Sequence, residues 1–266
     1  MSVEHAVTVA ASRGLPGASA VGAALATDDD VDRFVSAIRA HGLQGQADEA
    51  CTSCQLTGPG LHDKLLDVLR GALLSCLVAE AAAVNAVDVL TEHGIDMLVL
   101  KGAATAHLDY LAPELRLFGD ADVLIRPGDH GRALEVLAAE GYRRVSPPVH
   151  GWWERRFGRT VTHVAPNGAE LDMHLRIAGG SFGSTINHED IWERAGAGFV
   201  LAGRQMRALA GPDRLFHACC HTVLGDNSGL RSQRDVAQLL LNSQVDWEET
   251  VEIAEACGCS TVVAAA

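Results

Sequence analysis

The chain reads as a mixed α/β (α+β) protein: a mixed sheet flanked by helices, with a C-terminal helical lobe. Three observations predict this. A compact apolar run at 95–100 and an alternating stretch at 118–125 both carry strand spacing. Asn167-Gly168 separates two further strand-like segments, as a hairpin turn does. After Gly211-Pro212 the apolar spacing is helical only.

Residues 1–27 are Ala/Gly/Ser-rich without a clear period and are expected to be disordered. Asp28-Asp-Asp-Val-Asp32 opens a helical pattern ending near His41-Gly42, its acids complementing the helix dipole. Residues 43–60 read as loop. The apolar spacing over 61–93 fits one long helix or two, and Gly94 is a C-terminal stop. A buried strand follows at 95–100, a short helix at 103–111 and a second strand at 118–125. Pro127 and Asp129 start a helix to about Glu140, which Gly141 ends; 142–145 is strand-like. The hairpin pairs 160–165 with 169–177, 179–183 is loop, and 197–209 forms another hairpin about Gly203. Helices at 212–224, 230–241 and 246–257 complete the pattern, with Pro212 in a favourable first turn. The closing Val262-Val-Ala-Ala-Ala266 is apolar with no polar terminator and reads as a truncated or short C-terminus. The resulting division is 1–27, 28–94, a sheet-bearing core over 95–210, and a lobe over 211–266.

With 266 residues, 48% of them hydrophobic, there is room for one large domain or two small ones. A net charge of −13 disfavours nucleic acid as a partner, because little counterion release is available to such a surface. Arg143, Arg144, Arg155, Arg156 and Arg159 form only a loose basic patch. Seven cysteines, an odd number, and no secretory signal point to reduced thiols and a cytoplasmic location. The longest apolar run, 72–90, is broken by Ser75, Glu80, Asn85 and Asp88, so it predicts a buried or amphipathic helix and no membrane partner.

Three carboxylates stand on the predicted strands: Asp120, Asp122 and Asp172. Strand residues two apart share a face, so Asp120 and Asp122 project together, and a neighbouring strand would add Asp172. Clustered carboxylates repel unless a cation neutralises them. Hard oxygen ligands beside a glycine turn suit Mg²⁺ (or Mn²⁺) carrying a nucleoside triphosphate. The D-x-D spacing alone carries little, since Asp28–Asp32 repeats it at a solvated helix start. Asp120-Ala-Asp122 differs in lying between Gly119 and the core run Val-Leu-Ile125; by itself it fits a surface pair and a site equally.

Leu100-Lys-Gly102, Leu115-Arg116, Gly119-Asp-Ala-Asp-Val-Leu-Ile125, Gly141-Tyr142 and Leu171-Asp-Met-His174 together resemble an uncharacterised bacterial nucleotidyltransferase family of the nucleotidyltransferase superfamily. Asp213-Arg-Leu-Phe-His217, Arg234-Asp235 and Val245-Asp-Trp247 fit that family's helical part, and the resemblance spans roughly 60–258. It implies a nucleotidyltransferase-type sheet at 95–210 and metal-dependent transfer of a nucleoside monophosphate from an NTP to a hydroxyl, releasing pyrophosphate. On that resemblance Asp120 and Asp122 hold the metals of the triphosphate. Asp172 holds the second metal and helps activate the hydroxyl. Gly102 lets the backbone approach the phosphates. Gly119 belongs to the same nucleotide-binding set. Ala103 stands where the superfamily usually places Ser, and Lys101 would supply the phosphate contact instead, or close its strand as a surface lysine. Arg116 would clamp a phosphate, or pair with Glu114 in its loop. His174 shares a face with Asp172 as base, ligand or orienting partner, or has a structural role.

Other signals are read as structural. His217-Ala-Cys-Cys-His221 has zinc-compatible spacing, but its thiols leave the histidine face, so a packed helix is expected. Cys51-Thr-Ser-Cys54 has no second pair at ribbon distance, and Cys257-Gly-Cys259 is too close for a simple disulfide. Trp152 and Trp153 read as loop anchors or acceptor-cleft residues. The acceptor, whether a small molecule, peptide or protein, is not specified. The rival readings are a catalytically silent nucleotide- or partner-binding module and a D-x-D glycosyltransferase.

Overall fold

Ser2 accepts the His5 amide and opens helix α1 (Val3–Ser12), so part of the segment expected to be disordered is helical. The reason lies in its spacing: Val3, Ala6, Val7 and Ala10 make one buried face of helical period. The computed structural model describes residues 2–18, 22–147, 149–225, 229–242 and 245–266, and only the backbone of 155–157, 180, 181 and 197. The side chains of Arg155 and Arg156, part of the loose basic patch, therefore lie outside the described ones.

Strand β1 (Ala23–Ala24) precedes α2 (Asp28–His41), which Thr27 caps by accepting the Asp30 amide and Gly42 ends at φ 66°. Residues 43–60, expected as loop, contain α3 (Gln44–Thr52) and β2 (Leu56–Thr57), which pairs in parallel with β1. α3 is built for close approach. A Cβ on Gly45 would lie 2.3 Å from the Glu114 carbonyl oxygen, and Gln46 Nε2 donates to the Leu115 carbonyl at 2.6 Å. The 61–93 pattern is one helix, α4 (Leu61–Glu92), 32 residues long. It is long and apolar enough to cross a membrane by length and composition. Here Leu61 and Leu65 pack with α1–α3, while Cys76, Ala79, Ala82, Ala83, Ala86 and Leu90 pack in a second core beneath the main sheet.

That sheet begins with β3 (Met97–Val99), followed by α5 (Lys101–Leu108), β4 (Asp120–Ile125) and α6 (His130–Ala139). Then come β5 (Arg143–Arg144), α7 (Gly151–Phe157), β6 (Thr160–Val164) and β7 (Glu170–His174). The hairpin around Asn167-Gly168 has a three-residue loop, 166–168, because the Ala165 amide still bonds the Ala169 carbonyl. Helices α8 (Gly180–Thr185) and α9 (His188–Arg194) occupy a stretch whose first part reads as loop in the sequence. β8 (Ala197–Leu201) and β9 (Arg204–Ala208) form the second predicted hairpin. The lobe comprises α10 (Gly211–Leu224), α11 (Leu230–Leu241), α12 (Trp247–Ala256) and α13 (Ser260–Ala265).

The seven strands run in the order β5-β6-β7-β4-β3-β9-β8. The sheet is mixed: β4 pairs antiparallel with β3 and parallel with β7, and β3 pairs parallel with β9. Alternation sorts the two faces. Met97, Val99, Val123 and Ile125 join the α4 core, whereas Leu98, Leu100 and Leu124 join Phe216 and Cys220 of α10. Asp122 shares the face of Leu124, so the carboxylates project on the side covered by the helical lobe.

Candidate active site

Two strands bring the carboxylates together by register. Asp122 lies opposite Asp172 and Leu124 opposite His174 across the parallel β4–β7 pair. On the far side of β7, Thr162 faces Asp172 and Thr160 faces His174. Thr162 Oγ1 donates to Asp172 Oδ1 at 2.7 Å, fixing that carboxylate's orientation.

Asp122 is the hub and is 4% exposed. Its Oδ1 receives Lys101 Nζ at 2.6 Å and His174 Nε2 at 2.7 Å. Burial alone would raise this carboxyl. The Lys101 charge and the bonds from His174 and Lys101 outweigh burial and hold it well below the usual carboxylate range. His174 is 1% exposed; burial, then the Lys101 charge, lower its basicity despite Asp122. A neutral imidazole with its proton on Nε2 satisfies both contacts, since Nδ1 lies 3.1 Å from Thr160 Oγ1 and can accept its proton.

Lys101 reaches Asp122 through an unusual backbone. Its φ is +35°, in the left-handed region that side-chain-bearing residues rarely adopt. The Leu100 amide bonds the Asp122 carbonyl at 2.9 Å, so the turn is anchored to the residue its side chain neutralises. Strain held by surrounding bonds is the kind that marks a working site.

Asp120 stands two residue pairs nearer the start of β4, opposite Glu170. Burial, then the Asp122 charge, push its carboxyl up, with Lys101 opposing. Glu170, absent from the sequence-based set, is raised by burial and then by the Asp172 and Asp120 charges. The ligand atoms of Asp122, Asp172 and His174 lie within 4.8 Å of one another, a set able to hold a metal ion; Asp120 is not in that group. The donor chemistry fits a divalent cation, which would relieve the mutual repulsion that raises Asp120.

Two predicted site residues stand differently. Arg116 is not paired with Glu114, and its fork is filled by a carboxylate rather than open to a phosphate. Nε and Nη2 bond Asp235 at 2.8 and 2.7 Å, and Nη1 bonds the Leu117 carbonyl. Gly102 serves packing: a Cβ there would lie 2.7 Å from Phe118 Cβ and Cγ. Gly102→Ala is therefore expected to cost about 1–3 kcal/mol in chemical denaturation by overpacking. Gly119, by contrast, is exposed and uncrowded, at the rim of a cleft. Ala103 is 4% exposed in the α4 core.

The lobe supplies what the sequence did not reveal. His217, expected merely to pack a helix, meets His174 edge-on, with ring centroids 6.5 Å apart. His217 and His221 line a small cavity of about 20 Å³ together with Lys101, Arg116 and Arg214. Cys219 and Cys220 turn instead into two hydrophobic cores. Burial, then Lys101 and Arg159, hold His221 down to about 4, against an ordinary value of 6.5. Burial, then Arg176, hold His188 down to about 4 as well. As pH falls below 6.5 the unfolded chain takes up protons that these folded imidazoles refuse until about 4. Stability is thus full above 6.5 and declines between those values, by at most about 1.4 kcal/mol per pH unit for each histidine. Thermal melts between pH 7.5 and 5 are expected to show this acid slope, shallower in His221→Gln.

A family model described as "Uncharacterised nucleotidyltransferase" matches residues 27–266. No curated protein matches. Among solved structures, the antibiotic-resistance factor ANT(2'')-Ia is 14% identical over 73% of this chain and 95% of its own, with a TM-score of 0.45. An antigenic nucleotidyltransferase-like protein from Paracoccidioides brasiliensis is 15% identical over 71% of this chain and 92% of its own, TM-score 0.42. The lincosamide antibiotic adenylyltransferase LnuA, solved with lincomycin, is 13% identical over 58% of this chain and 92% of its own, TM-score 0.36.

Proposed function

The chain belongs to this nucleotidyltransferase family, and from that membership we propose that it moves a nucleoside monophosphate from an NTP to a hydroxyl acceptor, with pyrophosphate released. The observation that carries the reading is the in-register pair Asp122–Asp172 with Lys101 and His174 converging on Asp122. Asp122 and Asp172, with Asp120, would hold a divalent cation; when bound, it supplies charge neutralisation for the triphosphate. The chain's own groups do the rest. His174 orients Asp122 through a bond that is itself oriented by Thr160. Asp172, fixed by Thr162, receives the acceptor hydroxyl's proton as its oxygen bonds to the α-phosphorus and the bond to pyrophosphate breaks. Lys101 moves its charge from Asp122 to the phosphates.

The test is incubation with α-labelled NTPs, Mg²⁺ or Mn²⁺ and a metabolite extract. Metal-dependent transfer of label is expected. Absence of both transfer and NTP binding by calorimetry would overturn the reading. A second reading, nucleotide binding without transfer, is favoured by the closed Lys101–Asp122 pair, which already neutralises the principal carboxylate. NTP binding with no transfer to any acceptor would select it.

A further inference from the structure

A cleft of about 650 Å³ opens beside the start of β4, between the ends of α2 and α3, the middle of α4 and the start of α11. It meets the D-x-D strand at Gly119 and contains neither Lys101 nor Gly102. Its volume suits a small organic ligand.

Among the described residues, two of its polar side chains that are not exposed lack partners. Arg231 is half-buried and, among the described residues, makes no hydrogen bond or ion pair. Three other arginines around the lobe are matched to carboxylates: Arg116 to Asp235, Arg214 to Asp109 and Arg194 to Asp213. Gln44 is 9% exposed, and its Oε1 has no hydrogen-bond partner. The fold makes room for Arg231 at Gly42, where a Cβ would come within 2.9 Å of Arg231 Cδ and Nη1. Burial, then the Arg116 charge, disfavour the Arg231 cation and outweigh the Asp235 and Asp120 carboxylates; an incoming anion would relieve it. Arg39 adds a second positive charge, and the Asp67 carboxylate in the lining has Arg70 as its cation. Val68, Leu117 and Phe118 supply an apolar wall.

We propose that this cleft binds the hydroxyl acceptor, and that the acceptor is an organic anion whose carboxylate or phosphate sits on Arg231 and whose apolar body lies against Phe118. A guanidinium fork matches either anion bidentately. The unsatisfied Gln44 Oε1 takes a donor from the ligand. The cleft ends at Gly119, the residue before Asp120, and leaves Lys101 outside its lining, so a molecule held there would lie beside the D-x-D strand and apart from Lys101. The assignment as acceptor rests on the nucleotidyltransferase reading; the anion site does not.

The test uses the full chain and three probes: phenyl phosphate, benzoate and, as a neutral control, benzyl alcohol. Binding is read by NMR from the arginine Nε–H signals, and ATP binding is measured separately with Mn²⁺. Phenyl phosphate or benzoate is expected to bind, and whichever binds more tightly identifies the anionic group. Benzyl alcohol should not bind. Arg231→Gln should weaken the anion by about 10-fold or more, Arg231→Lys should restore part of it, and ATP affinity should stay as in the parent protein. The proposal is overturned if neither anion binds, if Arg231→Gln binds it unchanged, or if ATP competes with it and is weakened equally by Arg231→Gln. Anion binding in a protein that binds no ATP would sustain the cleft and reject the nucleotidyltransferase reading alone.

Discussion

Asp122→Asn is expected to reduce nucleotidyl transfer by about 10³-fold or more and to lower stability together with it. The substitution keeps the shape but removes the charge that Lys101 and His174 both address. Breaking a buried pair leaves one charge uncompensated, at a cost of about 3 kcal/mol, the low end of the usual range because the Lys101 side chain keeps 16% exposure. A double-mutant cycle separates the two effects. Asp122→Asn with Lys101→Met should regain most of the lost stability, since no stranded charge remains, yet recover no transfer. Chemical denaturation and the labelled-NTP assay on the same four proteins check this. Transfer activity surviving in Asp122→Asn would remove Asp122 from the centre of the mechanism.

Asp235→Ala is expected to have the largest effect on stability, about 3–5 kcal/mol, or a fall in melting temperature on the order of 10 °C. Asp235 accepts from both Arg116 and Tyr110, and the Arg116–Asp235 side chains are 6% and 8% exposed. Arg116 lies four residues before Asp120, so this brace ties the lobe to the approach of the D-x-D strand. Replacing both partners, Arg116→Met with Asp235→Leu, should be far less costly than Asp235→Ala, because no buried charge is left unpaired. Equal losses in the single and double variants would show that the brace acts by packing rather than by charge.

The sheet-bearing part of the chain was legible because its signals are local. The 95–100 run, the D-x-D strand and the turn at Asn167-Gly168 each announce themselves within a few residues. Helix α1 carried its 3-6-7-10 spacing openly, but Ala and Gly composition masked it. α3 was hidden for a different reason: with two glutamines, a glycine and few large apolar residues, it is buried through close approach rather than hydrophobic pattern. In the site, the shared face of Asp120 and Asp122 follows from strand period alone. The pairing of Asp122 with Asp172 does not, because parallel register is set by distant packing. The partner of Arg116 is not legible locally, because its carboxylate lies 119 positions along the chain. The neighbour of His217 is hidden for the same reason, His174 being on another element. The Thr160-Val-Thr162 alternation opposite Asp172-Met-His174 was a signal present in the sequence, readable once the hairpin is registered.

The parallel pairing of β4 with β7 also bears on how the protein acquires activity during folding. Asp122 and His174 are 52 positions apart in sequence, and nothing but the completed crossover puts them side by side. The entropy of closing so long a loop must be met before the pairing returns any energy, which delays contacts of this kind. The mutual repulsion of the carboxylates adds to that delay. A chain halted on the ribosome before β7 emerges would carry an intact D-x-D strand and no site. Refolding followed by Trp fluorescence should therefore run ahead of the return of nucleotide binding, and the gap between the two traces would time the zipping of this one strand pair.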